Sequence, residues 1–136
     1  MVDLLVNIDV SDLQRAIAFY TGAFDLRIGR KFGTDGVELL GASAPIYLLV
    51  KAPGTQPFAN ATQLRDYGRH WTSVHLDFVV PDVDKALARA IAAGANLERP
   101  TQISSWGKLA LLADPFGNGL CLVEFVGRGY DEIASS

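Results

Sequence analysis

The sequence predicts an α+β fold in which one βαβββ unit occurs twice. Each half begins with a strand-like alternation of apolar residues, continues into an amphipathic helix and ends in three strand-sized segments. The strand and helix of the two halves align at a constant offset of 70 residues, which places Ile8 on Phe78 and Asp12 on Asp82. Because one unit alone has too small a core, we expect both units to form a single domain over residues 1–136.

The first unit is predicted to span residues 2–51. Alternating apolar side chains over residues 4–10 indicate a half-buried strand, and Ser11 and Asp12 follow with side chains suited to cap a helix. Apolar residues then recur at helical spacing, at Leu13, Ala16, Ile17, Tyr20 and Phe24. Gly22 weakens the end of this helix. Short apolar segments at 26–32, 36–40 and 46–50 predict three further strands.

The second unit is predicted to span residues 73–126. A strand over residues 74–80 leads into a helix that Pro81 and Asp82 open, and Gly94 stands where a C-terminal cap is expected. Three strands are predicted at 97–103, 106–112 and 119–125. Residues 52–72 are rich in turn formers and predict a long linker in which His70 is exposed. Residues 127–136 form a tail that is either mobile or docked on a neighbouring subunit.

The composition argues against several classes of partner. Of the 136 residues, 49% are hydrophobic and 20% are charged, as in folded globular proteins. A net charge of −3 without a basic run argues against nucleic-acid binding, and the apolar runs are too short to span a membrane. The single cysteine, Cys121, excludes an internal disulfide and favours a reducing compartment, so we expect a cytoplasmic protein.

Three segments together resemble the vicinal oxygen chelate superfamily, which includes glyoxalase I, bleomycin resistance proteins and extradiol dioxygenases. These segments are IDVSDLQRAIAFYTGAF, HLDFVVPDVDKALARAIAAGA and DPFGNGLCLVEF, and the resemblance covers nearly the whole chain. It implies two βαβββ modules whose curled mixed sheets enclose a central cavity, with the helices outside. It also implies a homodimer, in which the modules pair either within one chain or between chains.

The resemblance also supplies positions at which metal-dependent members of the superfamily hold a divalent ion. These positions lie on the first and last strand of each module and fall on Leu5, Tyr47, His75 and Cys121. Leucine has no donor atom, and a tyrosine ligates only after it loses a proton of pKa near 10. We therefore expect no metal ion and no other cofactor. A site that uses only His75 and Cys121 remains the alternative.

The same resemblance places a set of side chains on the predicted cavity. The expected ligand-binding residues are Leu5, Asn7, Tyr47, His75, Asp77, Trp106 and Cys121. His75 is the expected catalytic residue if the protein is an enzyme, because an imidazole titrates near neutral pH. Cys121 is either a small buried apolar residue or a thiolate paired with His75, and Asp77 pairs with an internal polar group or with a ligand.

Trp106 and three basic residues also have explanations that involve no ligand. Trp106 also fits as a packing aromatic, like Trp71. Arg27, Arg30 and Lys31 form either a rim that attracts anions or a solvated strand face.

The sequence therefore predicts a metal-independent protein that binds a small molecule in its central cavity. The alternative is a lyase or isomerase for a small oxygenated metabolite, with His75 as acid or base and with no metal or an atypical one. Standard glyoxalase I or extradiol dioxygenase activity is disfavoured, because two of the four metal-ligand positions lack a suitable donor. A purely structural or regulatory partner role is the third hypothesis.

Overall fold

The order βαβββ occurs twice in the structure, which confirms the predicted fold class. The computed structural model describes residues 1–135 and divides into two compact units, one ending at Gly68 and one beginning at Arg69. This boundary lies inside the predicted linker, and most of the linker belongs to the first unit. Among the residues described, no helix is long and apolar enough to cross a membrane.

The first unit is a four-stranded mixed sheet with one helix. Its elements are β1 (Val6–Val10), α1 (Leu13–Phe24), β2 (Arg27–Phe32), β3 (Gly36–Leu40) and β4 (Ile46–Val50). The strand order is β1-β4-β3-β2, with β1 parallel to β4 and the other pairs antiparallel. The side chains of Leu39 and Leu48 are fully buried on the face that packs against α1. Because side chains alternate along a strand, Glu38 and Tyr47 lie on the opposite face.

A local hydrogen bond fixes the start of helix α1, and the backbone conformation of one residue fixes its end. The Asp12 side chain accepts a hydrogen bond from the Arg15 amide at 3.0 Å, as expected of an N-terminal cap. The helix continues through Gly22 and stops where Asp25 adopts a left-handed conformation, with φ of 56°. Gly22 therefore weakens the helix without ending it.

The second unit repeats this architecture. Its elements are β5 (Leu76–Val79), α2 (Val83–Ala93), β6 (Asn96–Ser104), β7 (Gly107–Ala113), β8 (Gly119–Phe125) and a short 3-10 helix (Gly129–Glu132). The strand order is β5-β8-β7-β6, again with one parallel pair, β5 with β8. Asp82 caps α2 at its start, and Gly94 ends it with φ of 120°. Both caps confirm the prediction.

Several predicted boundaries differ from the structure for local reasons. β1 begins at Val6 instead of residue 4, because the Val6 amide donates to Pro45 and a proline has no N–H to continue the ladder. β5 is shorter than predicted, since the Thr72 hydroxyl binds the Val74 carbonyl at 2.6 Å.

Two further expectations concern His70 and the C-terminal tail, and the one for His70 was wrong. His70 is half-buried, not exposed, with Nε2 2.9 Å from Asn118 Oδ1. In the described part of the tail, residues 127–135, the Tyr130 ring packs against Trp106 and Phe125 of the same chain, and docking of the tail on a neighbouring subunit stays a prediction.

Candidate functional site

One polar cluster lies on the face of the second sheet that is turned away from α2. The orientation follows from Glu124, whose Oε1 accepts the Val83 amide at the start of α2 at 2.8 Å. Alternation along β8 then turns Cys121 to the other face. Strand pairing places Asp77 beside Cys121, Cys121 beside Leu111, and Leu111 beside Arg99. This row crosses the whole sheet and contains Asp77 and Cys121, and His75 lies directly before β5.

The cluster consists of His75, Asp77 and Cys121. His75 Nε2 lies 3.2 Å from Asp77 Oδ1, and the candidate donor atoms of all three residues lie within 4.8 Å of one another. The His75 side chain is 54% exposed and the Asp77 side chain 38% exposed, whereas Cys121 is buried. The structure thus brings these three predicted residues together, and Asp77 is a partnered carboxylate at the surface of the sheet rather than a buried one.

The Cys121 thiol is held in its protonated form. Burial raises its pKa to about 11, and Asp77 contributes through its negative charge and a hydrogen bond, while Arg99 acts in the opposite direction. A thiol with such a pKa is almost entirely protonated at neutral pH. The structure therefore argues against the thiolate paired with His75 that the sequence left open.

Asp77 also determines which atoms of His75 remain available. When the imidazole is neutral and its Nε2–H is directed at Asp77, Nδ1 is a hydrogen-bond acceptor. Such an arrangement can bind a donor group of a ligand or accept a proton from it.

A second polar cluster lies on the first sheet, on the face turned away from α1. Arg30 Nη2 donates to Glu38 Oε2 and to the Tyr47 hydroxyl, both at 2.8 Å, and the hydroxyl in turn donates to Glu38 Oε2 at 2.8 Å. Glu38 Oε1 accepts from Arg30 Nε at 3.2 Å and from the Arg30 backbone amide at 3.0 Å. The hydrogen bonds from Arg30 and Tyr47 lower the pKa of Glu38 to about 2, and Glu38 raises the pKa of Arg30.

Gly29 makes room for this cluster. A Cβ atom at Gly29 would lie 2.5 Å from Glu38 Oε1 and 3.0 Å from a Leu40 methyl group. The missing side chain therefore allows the Glu38 carboxylate to reach the Arg30 backbone amide. Glu38 was not predicted from the sequence, although the alternation of GVELL places it on the face opposite Val37 and Leu39, and strand register brings it beside Tyr47.

The other predicted binding residues lie in different surroundings. Asn7 pairs with Tyr47 in the register of β1 and β4, and Leu5 lies before β1 and is exposed. Trp106 lies in the turn between β6 and β7, with its ring 5.1 Å from that of Tyr130 and 6.2 Å from that of Phe125. The role of these residues in ligand binding stays a prediction.

The DPFGN segment forms a structural turn. Asp114 is buried and accepts the amides of Phe116 and Asn118 at 2.8 and 2.9 Å, and the Asn118 side chain joins Asp114 to His70. These bonds fix the start of β8 and with it the position of Cys121.

The residues present do not fit the divalent metal site of the metal-dependent relatives. Leu5 offers no donor atom, and the Tyr47 hydroxyl is bonded to Arg30 and Glu38. His75, Asp77 and Cys121 contribute three possible donors, but the thiol would first have to lose its proton against the effect of burial and of Asp77. A set of ligands that includes a thiol is poorly suited to ions that prefer oxygen and nitrogen ligands.

Comparisons with known proteins agree with the fold. The sequence is 31% identical over 113 residues to uncharacterized proteins of Mycobacterium bovis and Mycobacterium tuberculosis. These alignments cover 80% of this chain and 74% and 66% of the two relatives.

Among solved structures, the fold is similar to that of a glyoxalase/bleomycin resistance protein/dioxygenase family enzyme from Burkholderia phytofirmans. The TM-score is 0.70 at 23% identity, with 92% of this chain and 100% of that chain covered. A fosfomycin resistance protein from Listeria monocytogenes gives 0.68 at 18% identity, covering 93% and 96%. Lactoylglutathione lyase from Agrobacterium tumefaciens gives 0.63 at 21% identity, covering 90% and 92%.

The family comparison covers most of the sequence. A glyoxalase-like domain matches residues 5–123, which include the first βαβββ unit, the second unit except the last two residues of β8, and both polar clusters. The chain therefore belongs to the glyoxalase-like domain family.

Proposed function

We propose that the protein binds a small organic molecule, without a metal ion, on the sheet face that carries His75, Asp77 and Cys121. The observation that carries this proposal is the clustering of three side chains on one sheet face: His75 Nε2 lies 3.2 Å from the Asp77 carboxylate, and the Cys121 thiol lies within 4.8 Å of both. Two of the three atoms that would ligate an ion, on His75 and Asp77, are thus already paired with each other. Two of the groups, His75 and Asp77, are nevertheless exposed enough to contact a ligand.

The surroundings of the cluster also support ligand binding. Leu109 and Leu111 are half-buried, and they pair across the sheet with Val123 and Cys121. A few polar groups that converge within an apolar surface are typical of small-molecule sites. A ligand with one hydrogen-bonding group and an apolar body fits this combination.

The test is a thermal-shift screen of small organic molecules with protein that has been treated with a chelator and checked for metal by elemental mass spectrometry. We expect a stabilising compound whose effect survives chelation and decreases in His75→Gln and Asp77→Asn. Asp84→Asn is the matched control, because it removes the same charge from an exposed side chain on α2. A tightly held ion near one equivalent, together with ligand binding that chelation abolishes, would falsify the proposal.

A second candidate function is that of a lyase or isomerase with His75 as the proton acceptor. It is favoured by the His75–Asp77 contact, which orients the imidazole as enzymes commonly orient a general base. One structural neighbour is a lactoylglutathione lyase, although at 21% identity it supports the fold alone. Any compound that the screen identifies is then tested for turnover. A lower kcat in Asp77→Asn with a smaller change in KM would support this function. An unchanged turnover in His75→Gln would exclude it.

A further inference from the structure

Arg30 is held in place by a carboxylate that has no capacity for any other partner. The Glu38 side chain is only 8% exposed, and its two oxygens accept four hydrogen bonds, three from Arg30 and one from Tyr47. A carboxylate offers about four lone-pair sites, so this one is saturated. Glu38 is therefore a positioning residue for Arg30 and Tyr47.

The outer edge of the same guanidinium remains available. The bonds to Glu38 and Tyr47 use Nε and Nη2, whereas Nη1 donates to none of the residues that the structure describes. The Arg30 side chain is 68% exposed despite these bonds. An arginine already fixed along one edge loses little conformational entropy when its other edge binds a ligand oxygen.

An aromatic surface lies beside Arg30. The rings of Phe32 and Tyr47 are 6.2 Å apart with an interplanar angle of 33°, and Phe32 is exposed. Arg27, which pairs with Leu40, lies on the same face as Glu38 and is also exposed. The face therefore combines planar apolar surface with positive charge.

The equivalent row of the second sheet has no buried carboxylate that holds an arginine. There Leu111 pairs with Arg99 and Cys121, where the first sheet has Glu38 beside Tyr47. Arg99 donates instead to the exposed Gln102 at 3.0 Å. The buried carboxylate that fixes an arginine is thus particular to the first unit and does not follow from the repeat.

We propose that Arg30 is an anion-binding residue whose Nη1 edge takes the carboxylate of an organic acid, with the planar part of that acid against Phe32 and Tyr47. This site lies in the first unit, on different residues from the His75 cluster. The proposal therefore does not depend on the proposed function of that cluster, and either can fail alone.

The experiment is an NMR titration of the full-length, 15N-labelled protein, with the Nε–Hε signal of Arg30 as the readout in the native protein and the backbone amide signals of β2 and β4 as the readout in every variant. Three probes separate the contributions: benzoate has both a ring and a charge, benzamide has the ring alone and acetate has the charge alone. We expect a saturable shift with benzoate and markedly weaker effects with the other two. Arg30→Gln should lower benzoate affinity about tenfold, as expected for the loss of a charged hydrogen bond.

Lys31→Gln is the matched control, because it removes the same charge from the neighbouring exposed residue. Its effect should stay below about twofold, since salt screens a charge that makes no contact. If Arg30→Gln does not fold, Arg30→Lys keeps the charge, removes the planar fork and should also weaken binding. Three results would each overturn the proposal. The first is an equal loss of benzoate affinity in the Arg30 and Lys31 variants, the second is equal affinity for benzoate and either simpler probe, and the third is no shift with benzoate.

Discussion

The Glu38 carboxylate keeps a pKa of about 2 because Arg30 donates to it from its side chain and from its backbone amide. Its usual pKa is 4.5, so the folded state favours the ionised form. This contribution to stability is present above pH 4.5 and is lost as the pH falls toward 2. We therefore expect the urea midpoint of the native protein to fall over this range more steeply than that of Glu38→Gln.

The control for this acid titration is Glu132→Gln. Glu132 accepts from Arg128 at 3.2 Å in an exposed pair four residues apart, and such pairs contribute little to stability. Its acid dependence should match that of the native protein. Identical slopes for Glu38→Gln and the native protein would contradict the assigned role of Glu38.

The Cys121 thiol gives a second prediction for a single residue. Because its pKa is raised to about 11 by burial and by Asp77, we expect iodoacetamide to alkylate the folded protein slowly at neutral pH and faster as the pH rises. Asp77→Asn removes a charge and a hydrogen bond that raise this pKa, so it should accelerate alkylation, as followed by mass spectrometry. Asp84→Asn should leave the rate unchanged. Rapid alkylation of the native protein at pH 7 would show that the thiol is not protected in this way.

At the scale of secondary-structure elements, the segment between β4 and β5 is more ordered than its sequence suggests. Arg65 Nε donates to Asp9 on β1 at 2.8 Å, and its Nη1 donates to the Gln56 carbonyl at 2.9 Å. The Gly54 amide donates to the Arg65 carbonyl at 2.8 Å, and the Arg65 amide donates to the Thr55 carbonyl at 2.9 Å. Arg65 thus holds residues 54–56 and, through Asp9, joins this part of the loop to β1.

We predict that Arg65→Gln loosens this loop while both sheets stay folded. The amides of Gly54 and of residue 65 should exchange with solvent faster, and chymotrypsin or a less specific protease should cut within residues 52–67 more readily. Arg128→Gln breaks an exposed ion pair in the tail and serves as the control. Unchanged exchange at Gly54 would mean that the loop is held by its backbone alone.

The elements themselves were largely predictable, because their signals are local. Asp12, Asp82 and Gly94 cap helices as their chemistry predicts, and apolar alternation located the strands. What sequence alone did not predict depends on contacts between distant residues. The Arg65–Asp9 pair joins positions 56 residues apart, and the partner of His70 lies 48 residues away.

At the scale of the whole molecule, the repeat and the family resemblance predicted the position of the His75 cluster, but they did not predict its chemistry. His75, Asp77 and Cys121 were expected on one face and are found together. The chemistry of that cluster required the structure, since the protonation of Cys121 depends on its burial and on Asp77. Glu38 was not predicted, because a single acidic residue in a short strand belongs to no recognisable motif. Only the strand register shows that it lies beside Tyr47.

The surface beside β5 leads to a prediction about assembly. β5 is the first strand of its sheet, with β8 on one side, and the nearby Val74 and Val79 are 77% and 63% exposed. An edge strand flanked by apolar side chains is usually covered by another chain or protected by charge. We expect a homodimer that covers this edge, seen in sedimentation velocity as a concentration-dependent dimer. Val74→Lys should shift the equilibrium toward monomer, whereas Ile91→Lys, on the exposed side of α2, should not. A native protein that remains monomeric at all concentrations, or equal effects of the two lysines, would contradict a dimer formed through this edge.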